Sequence, residues 1–242
     1  MKIMQLIANR NNDFSNHKIP TIAFLGDSVT HGVFELIPDG TEQFIVVYDT
    51  EKAYPNLVRG LLAKQYPAAN LNIVNAGISG DSAVKGLARL ERDVLSKSPD
   101  LTVVCFGLND SQKGLDGIGD YTAAMEEIFC RILAAGSEAI FLTPNMMATE
   151  VSEKLPQGIL ARIAAHTAQI QNGGAMDAYM EAGRELAAKY RIPVCDVYAK
   201  WKAMQASGVN ITERLANYIN HPTRELHRLF ADSLLETMMK NI

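Results

Sequence analysis

A chain of 242 residues and 26.5 kDa can bury a sizeable apolar core without a metal or a disulfide framework. Hydrophobic residues make up 48%, charged residues 21% and aromatics 7%, which excludes disordered, collagen-like and coiled-coil chains. The formal charge of −4 and a sequence pI near 5.8 lack the basic footprint of a nucleic-acid binder. The three cysteines, Cys105, Cys130 and Cys195, are odd in number and widely spaced, which fits neither a disulfide scaffold nor a zinc motif. Cys105 and Cys195 lie in apolar runs and read as small buried hydrophobes. No run approaches the ~18–20 apolar residues that span a bilayer, and the apolar stretch at the N-terminus is too short for a secretory signal. The expectation is a cytoplasmic protein with no membrane partner.

In chain order, the first strand candidate is Thr21–Leu25, which stops at Gly26. Residues 33–48 follow, two apolar runs around Pro38-Asp39-Gly40, and read as an inserted β-hairpin. It is either surface decoration, a pocket wall or a subunit contact. Tyr54–Gln65 is a helix with Leu57, Val58, Leu61 and Leu62 on one stripe. Leu71–Asn75 is the second sheet strand. Ser82–Leu95 is a helix capped by Ser82, with Val84, Leu87, Leu90 and Val94 as its apolar stripe. Leu101–Phe106 is the third strand, Tyr121–Ala134 a helix and Ala139–Thr143 the fourth strand. Ile159–Tyr190 is helical but broken at Gly173-Gly174. Ile192–Val197 is the fifth strand and Thr223–Met239 the last helix. Strands rich in Val, Ile, Leu and Phe without strict alternation are covered on both faces. Their alternation with helices predicts one α/β domain over residues 1–242, with a parallel sheet between helical layers.

In such a sheet ligands bind beyond the carboxyl ends of the strands. The first strand is followed by Gly26-Asp27-Ser28, the second by Asn75-Ala76-Gly77-Ile78-Ser79-Gly80 and the third by Gly107-Leu108-Asn109-Asp110. His221-Pro222 comes just before the last helix. A serine, glycine-turn N–H groups, an amide and an imidazole on one edge are the parts of a serine acyl-transfer site.

This set resembles the SGNH hydrolases, also called GDSL esterases, named for a Ser, a Gly, an Asn and a His in successive blocks. The blocks here are Phe24–Gly32, Asn75–Gly80, Gly107–Asp110 and His221-Pro222, in the family's order and over nearly the whole chain. The resemblance implies a flavodoxin-like three-layer α/β/α sandwich with a five-stranded parallel sheet in the order 2-1-3-4-5. It implies a carboxylic ester hydrolase with Ser28 as nucleophile and His221 as base. The oxyanion donors would be the backbone N–H groups of Ser28 and Gly77 and the side-chain amide of Asn109. No cofactor is implied, and no His/Cys/Glu pattern suggests a metal. Asp27 reads as a structural residue of its turn, and His227 as a surface or helix-packing residue. Gly80-Asp81-Ser82 repeats the Gly-Asp-Ser tripeptide, but Ser82 opens a helix and reads as its cap.

The chain departs from the family at the third triad member. An Asp is usual three residues before the histidine, and Tyr218 stands there. The readings are a Ser28–His221 dyad whose Nδ1 proton goes to a backbone carbonyl or to Asn217 or Asn220, a carboxylate from elsewhere such as Asp196 or Glu213, or a silent protein. The expected substrate is a small acyl ester, with short O-acyl, mainly O-acetyl, esters of carbohydrates favoured. A lysophospholipase or thioesterase of the same family and a catalytically silent binding protein on the same fold are the alternatives.

Overall fold

The computed structural model describes residues 1–240. Its strands are β1 (Thr21–Gly26), β2 (Val33–Pro38), β3 (Phe44–Tyr48), β4 (Asn72–Gly77), β5 (Leu101–Cys105), β6 (Glu138–Leu142) and β7 (Val194–Cys195). Five of them form one parallel sheet in the order β4-β1-β5-β6-β7, while β2 and β3 pair antiparallel as a separate hairpin. In chain order the sheet reads 2-1-3-4-5, as the family resemblance implies. Register places Gly26 of β1 beside both Gly77 and Cys105, so the strand ends that precede the motifs are level. β5 is buried along its whole length, which is why its sequence is a continuous apolar run.

The helices are α1 (Lys2–Asn12), α2 (Ser28–His31), α3 (Tyr54–Gln65), α4 (Ala83–Asp93), α5 (Ile118–Ala134), α6 (Ile159–Asn172), α7 (Ala175–Lys189), α8 (Val197–Ala206) and α9 (Arg224–Lys240). They flank the sheet in two groups: α1, α3 and α8 pack with α9, and α4, α5, α6 and α7 pack in series. The break at Gly173-Gly174 falls where expected, with Gly174 at φ 79 opening α7.

Four features differ from the sequence reading. First, α1 is an amphipathic helix whose Ile3, Met4 and Ile7 enter the core. Second, the fifth strand is only two residues long. Asp196 ends it by accepting the Ala199 N–H at 3.1 Å, which caps α8 and buries Trp201. Third, residues 110–117, unassigned between the third strand and the next helix, form 3₁₀ turns leading into α5, with Gly114 at φ 64. Fourth, α4 presents a different face. Ala83, Gly86, Arg89 and Leu90 are buried, while Val84 is exposed. Gly86 permits this because the helix lies very close to the sheet: a Cβ at Gly86 would sit 2.4 Å from the Phe106 ring.

Two helical glycines should therefore respond oppositely to alanine. Around Gly60 in α3 there is open space, so Gly60→Ala should stabilise by ~0.5–1 kcal/mol. Gly86→Ala should destabilise by ~1–3 kcal/mol through overpacking against the buried Phe106. Urea unfolding of both variants checks this; shifts of the same sign would contradict the close approach.

Candidate active site

The site begins with a strand that turns sharply into a helix. A Cβ at Gly26 would lie 2.0 Å from Thr30 Oγ1 and 2.9 Å from Cys105 O, so only glycine lets the chain turn there. Asp27 caps the short α2 by accepting the Val29 N–H at 3.0 Å, in keeping with a structural role. Ser28 is the first residue of α2, and Gly32 closes it in the left-handed region at φ 99.

The next strand end packs directly on this turn. A Cβ at Gly77 would meet His31 N at 2.3 Å and Thr30 C at 2.7 Å. Asn75 straps the two turns together: its Nδ2 donates to Thr30 O at 2.9 Å and its Oδ1 accepts the Gly77 N–H at 3.0 Å. In the third block, Asn109 Nδ2 donates to Asp81 O at 2.7 Å, which orients the amide and leaves its second hydrogen available. Asp110 accepts the Ala83 N–H at 2.9 Å and thereby holds the start of α4.

Arg89 is a buried organiser that sequence reading missed. It donates to Gly26 O at 3.0 Å, to Ala76 O at 2.7 Å and to Asp81 Oδ2 at 2.6 Å. One guanidinium thus joins the ends of β1 and β4 and the loop that orients Asn109. An arginine two residues after Leu87 looks like a solvated helix position; only the Gly86 approach makes it reach the strand ends.

His221 arrives from a tight loop, closed by Ala216 N–H donating to His221 O at 2.7 Å and by the Leu215–Pro222 bridge. Its Nε2 lies 2.9 Å from Ser28 Oγ. On the other ring nitrogen, Nδ1 lies 3.2 Å from Phe34 O in β2 and 3.0 Å from Asn217 Nδ2. Asn217 Oδ1 faces away and accepts the N–H groups of Ile219, Asn220 and His221, each at 3.0 Å. Asn220 Oδ1 accepts from Asn217 Nδ2 at 3.0 Å. Tyr218 is held in the left-handed region at φ 56, and its ring packs beside Lys154. Asp196 is engaged by Arg184 and Thr143, and Glu213 by Lys154 and Ser152. Ser82 Oγ accepts the Lys85 N–H at 3.5 Å as the cap of α4. His227 is buried, accepts the Tyr54 N–H at 3.1 Å and packs at a tilt against the Phe34 ring.

Burial sets the protonation of this region. Ser28 and His221 are each only 4% exposed. Desolvation pushes His221 down to about 4, opposed by the Phe34 carbonyl and the charge of Glu35. Burial lifts Asp27 to about 7, aided by the charges of Asp110 and Asp81 and opposed by the Val29 N–H. Asp110 is lifted to about 6, again by burial. The Oδ2 atoms of both carboxyls are buried without a hydrogen-bond partner. Among the described residues no group of three His, Cys, Asp or Glu side chains comes together as a cation site, and no helix is long and apolar enough to cross a membrane.

Residues 24–229 match the model of the GDSL-like lipase/acylhydrolase family, and the chain belongs to that family. An acetylxylan esterase of Geobacillus stearothermophilus is 35% identical over 95 residues, which are 39% of this chain and 42% of that one. An arylesterase of Vibrio mimicus is 34% identical over 64 residues, 26% of this chain and 31% of that one. The matches to these two relatives therefore span less than half the length of each. Among solved structures, a two-domain esterase active on acetylated mannans superposes with a TM-score of 0.68 at 19% identity, covering 98% of this chain and 52% of the other. The acetylxylan esterase Axe2 of Geobacillus stearothermophilus superposes with a TM-score of 0.65 at 24% identity, covering 91% and 95%. At such identities the superpositions establish a shared fold.

The raised carboxyl of Asp27 makes a signed prediction. A folded-state value of about 7 against an ordinary ~3.9 means the folded protein holds the extra proton between those limits. Stability from this group is therefore full below ~4 and is lost as pH rises through about 7. Asp27→Asn keeps the capping oxygen and removes the charge. Its melting temperature should exceed the parent's at pH 8, and the difference should shrink towards pH 4. A pH-independent difference would contradict the buried carboxyl.

Proposed function

We propose that this chain is a serine carboxylic ester hydrolase that removes short acyl groups, acetyl foremost, from the hydroxyls of carbohydrates. The observation that carries the reading is the 2.9 Å contact between Ser28 Oγ and His221 Nε2 at the carboxyl edge of the sheet. In this reading Ser28 Oγ attacks the ester carbonyl while His221 Nε2 takes its proton. The developing oxyanion is received by the Ser28 and Gly77 N–H groups and the Asn109 amide. The Gly77 N–H is held by Asn75 Oδ1 at 3.0 Å, so its part in this reading requires it to leave that partner. Collapse of the tetrahedral species expels the alcohol, which leaves with the proton from His221. A water then attacks the acyl-Ser28 ester, gives its proton to His221 and releases the acid, and the proton returns to Ser28.

The acetyl preference is supported by the similar proteins: one is an acetylxylan esterase, and another is active on acetylated mannans. A groove of about 680 Å³ between α4 and α5 supports a second reading. It runs beside Asn109, though neither Ser28 nor His221 lines it, and Val84, Leu87 and Ala124 give it an apolar wall among the charged Lys85, Lys113 and Asp120. A longer acyl chain, as in a lysophospholipase or thioesterase, would fit such a groove. A series of p-nitrophenyl esters separates the two. In a chain-accepting groove each added CH₂ contributes up to ~0.8 kcal/mol to kcat/KM; an acetyl-selective site loses activity beyond two to four carbons.

Three outcomes test the mechanism. Ser28→Ala should abolish turnover in folded protein, whereas Ser82→Ala should retain it; the reverse would move the nucleophile to the second Gly-Asp-Ser. Asn109→Ala should lower kcat by ~10²–10³ with a smaller change in KM. Because His221 stays neutral down to about pH 4, kcat/KM should hold through pH 5–7 and fall only near pH 4. An acid limb centred near ~6.5, the ordinary imidazole value, would contradict the buried, desolvated base.

A further inference from the structure

Two groups of opposite chemistry compete for His221 Nδ1. The amide of Asn217 is locked by the three backbone N–H groups that hold its Oδ1, so it can present only Nδ2 to the ring. That is a donor, and it suits an imidazole whose Nδ1 carries no proton. The proton is then on Nε2, and the ring cannot take another from Ser28. The Phe34 carbonyl, 3.2 Å away, is an acceptor and suits the opposite tautomer, with the Nε2 lone pair facing Ser28. The choice between an idle and a working imidazole rests on how firmly that one carbonyl is held.

Phe34 belongs to the inserted hairpin, not to the central sheet; Arg162 on Glu42 and the packing of Leu36 and Phe44 hold the outer part of the hairpin, and Arg224 ties down its roots beside Phe34. Arg224 lies three residues after His221, in the first turn of α9. It donates to both carboxylate oxygens of Glu35, at 2.5 and 3.2 Å, and to Asp49 Oδ2 at 2.8 Å. Glu35 follows Phe34 in β2 and Asp49 follows β3, so the guanidinium clips both roots of the hairpin to the helix that carries on from the histidine. It also lies over the Phe34 ring, 4.3 Å from its centroid, and the buried His227 ring packs against Phe34 at a tilt, with centroids 4.6 Å apart. Asp49 N–H donates to Gly32 O at 2.8 Å, which fastens the same corner to the end of α2. Arg224 and its partners are partly exposed, so the ion pairs contribute little to stability. Their geometric effect is larger: they fix the distance between two segments 187 residues apart.

We propose that Arg224, with Glu35 and Asp49, is a positioning residue that holds the Phe34 carbonyl on His221 Nδ1 and so selects the working tautomer against the Asn217 amide. The hairpin backbone takes the place of the missing triad carboxylate. The inference rests on the Ser28–His221 reading above. It also locates the vacant triad position at residue 217 rather than 218: in Asn217→Asp, one oxygen keeps the three N–H groups and the other accepts the Nδ1 proton, which makes the clamp dispensable.

The test uses the parent, Arg224→Ala, Arg224→Lys, Asn217→Asp and Asn217→Asp with Arg224→Ala. The His221 tautomer is read by ¹⁵N imidazole spectra and kcat and KM on p-nitrophenyl acetate. The parent should show Nδ1–H. Arg224→Ala should shift the ring towards Nε2–H and lower kcat on the order of tenfold or more, with KM within about twofold. Arg224→Lys should recover part of the loss. In the Asn217→Asp background the same Arg224→Ala change should cost less than about threefold. Should Asn217→Asp not fold, Glu35→Gln with Asp49→Asn replaces it and should reproduce the tautomer shift of Arg224→Ala. An unchanged tautomer in Arg224→Ala, or an equal kcat loss in both backgrounds, would overturn the clamp. The spectra are independent of turnover. An inactive parent whose tautomer still shifts in Arg224→Ala would leave the clamp standing and reject the hydrolase reading instead.

Discussion

A hydroxyl and an imidazole separated by 193 residues of chain meet at 2.9 Å with almost no water around them. That contact constrains the rest of the molecule. The serine is placed by the parallel sheet, since β1 lies inside it and is bonded on both sides, to β4 and β5. The histidine is placed by a loop that closes on itself and runs into α9. Between them, Arg89 ties the ends of β1 and β4, and Asn75 ties the turn that supplies Gly77 to the helix that supplies Ser28. The glycines at 26 and 77 are steric necessities of this junction, because a methyl group at either would collide with its neighbours.

Dryness has an electrostatic consequence. A buried imidazole resists the positive charge that the proposed role of base would give it, and here no carboxylate touches it. The Phe34 carbonyl and the more distant charge of Glu35 act in favour of the charged ring, and burial outweighs them. The same burial keeps Asp27 and Asp110 partly protonated near neutrality. In such a setting hydrogen-bond dipoles aimed at a developing oxyanion act at short range with little screening.

Much of this was legible in the sequence, for identifiable reasons. Buried parallel strands write themselves as apolar runs, and glycines mark where those runs stop; the five sheet strands and the level of their ends follow. Gly26-Asp27-Ser28, Asn75–Gly80, Gly107–Asp110 and His221-Pro222 are local motifs, so their positions could be read one at a time. What escaped depends on distance in the chain. Arg89 acts on carbonyls of two strands, and its helix turns a different face to the core because Gly86 lets it approach Phe106. The acceptor beside His221 Nδ1 is a backbone carbonyl, which every residue possesses and no residue type advertises. Asn217 sits at the right place in the sequence, yet its oxygen is consumed by its own loop. The fifth strand was overread because Val194, Cys195 and Val197 look continuous, while Asp196 between them caps a helix.

The inserted hairpin changes meaning once its neighbours are known. Taken alone, residues 33–48 are two amphipathic strands with exposed Ile37 and Ile45 at the tip. Their roots, however, carry Phe34, Glu35 and Asp49 against the last helix. Ser28 as nucleophile is tested most directly by labelling with an activated fluorophosphonate followed by peptide mass mapping, beside an assay on p-nitrophenyl acetate. A single adduct on Ser28 in a protein that turns the ester over is the predicted result. No adduct and no turnover in folded protein, or an adduct on Ser82, would contradict the account.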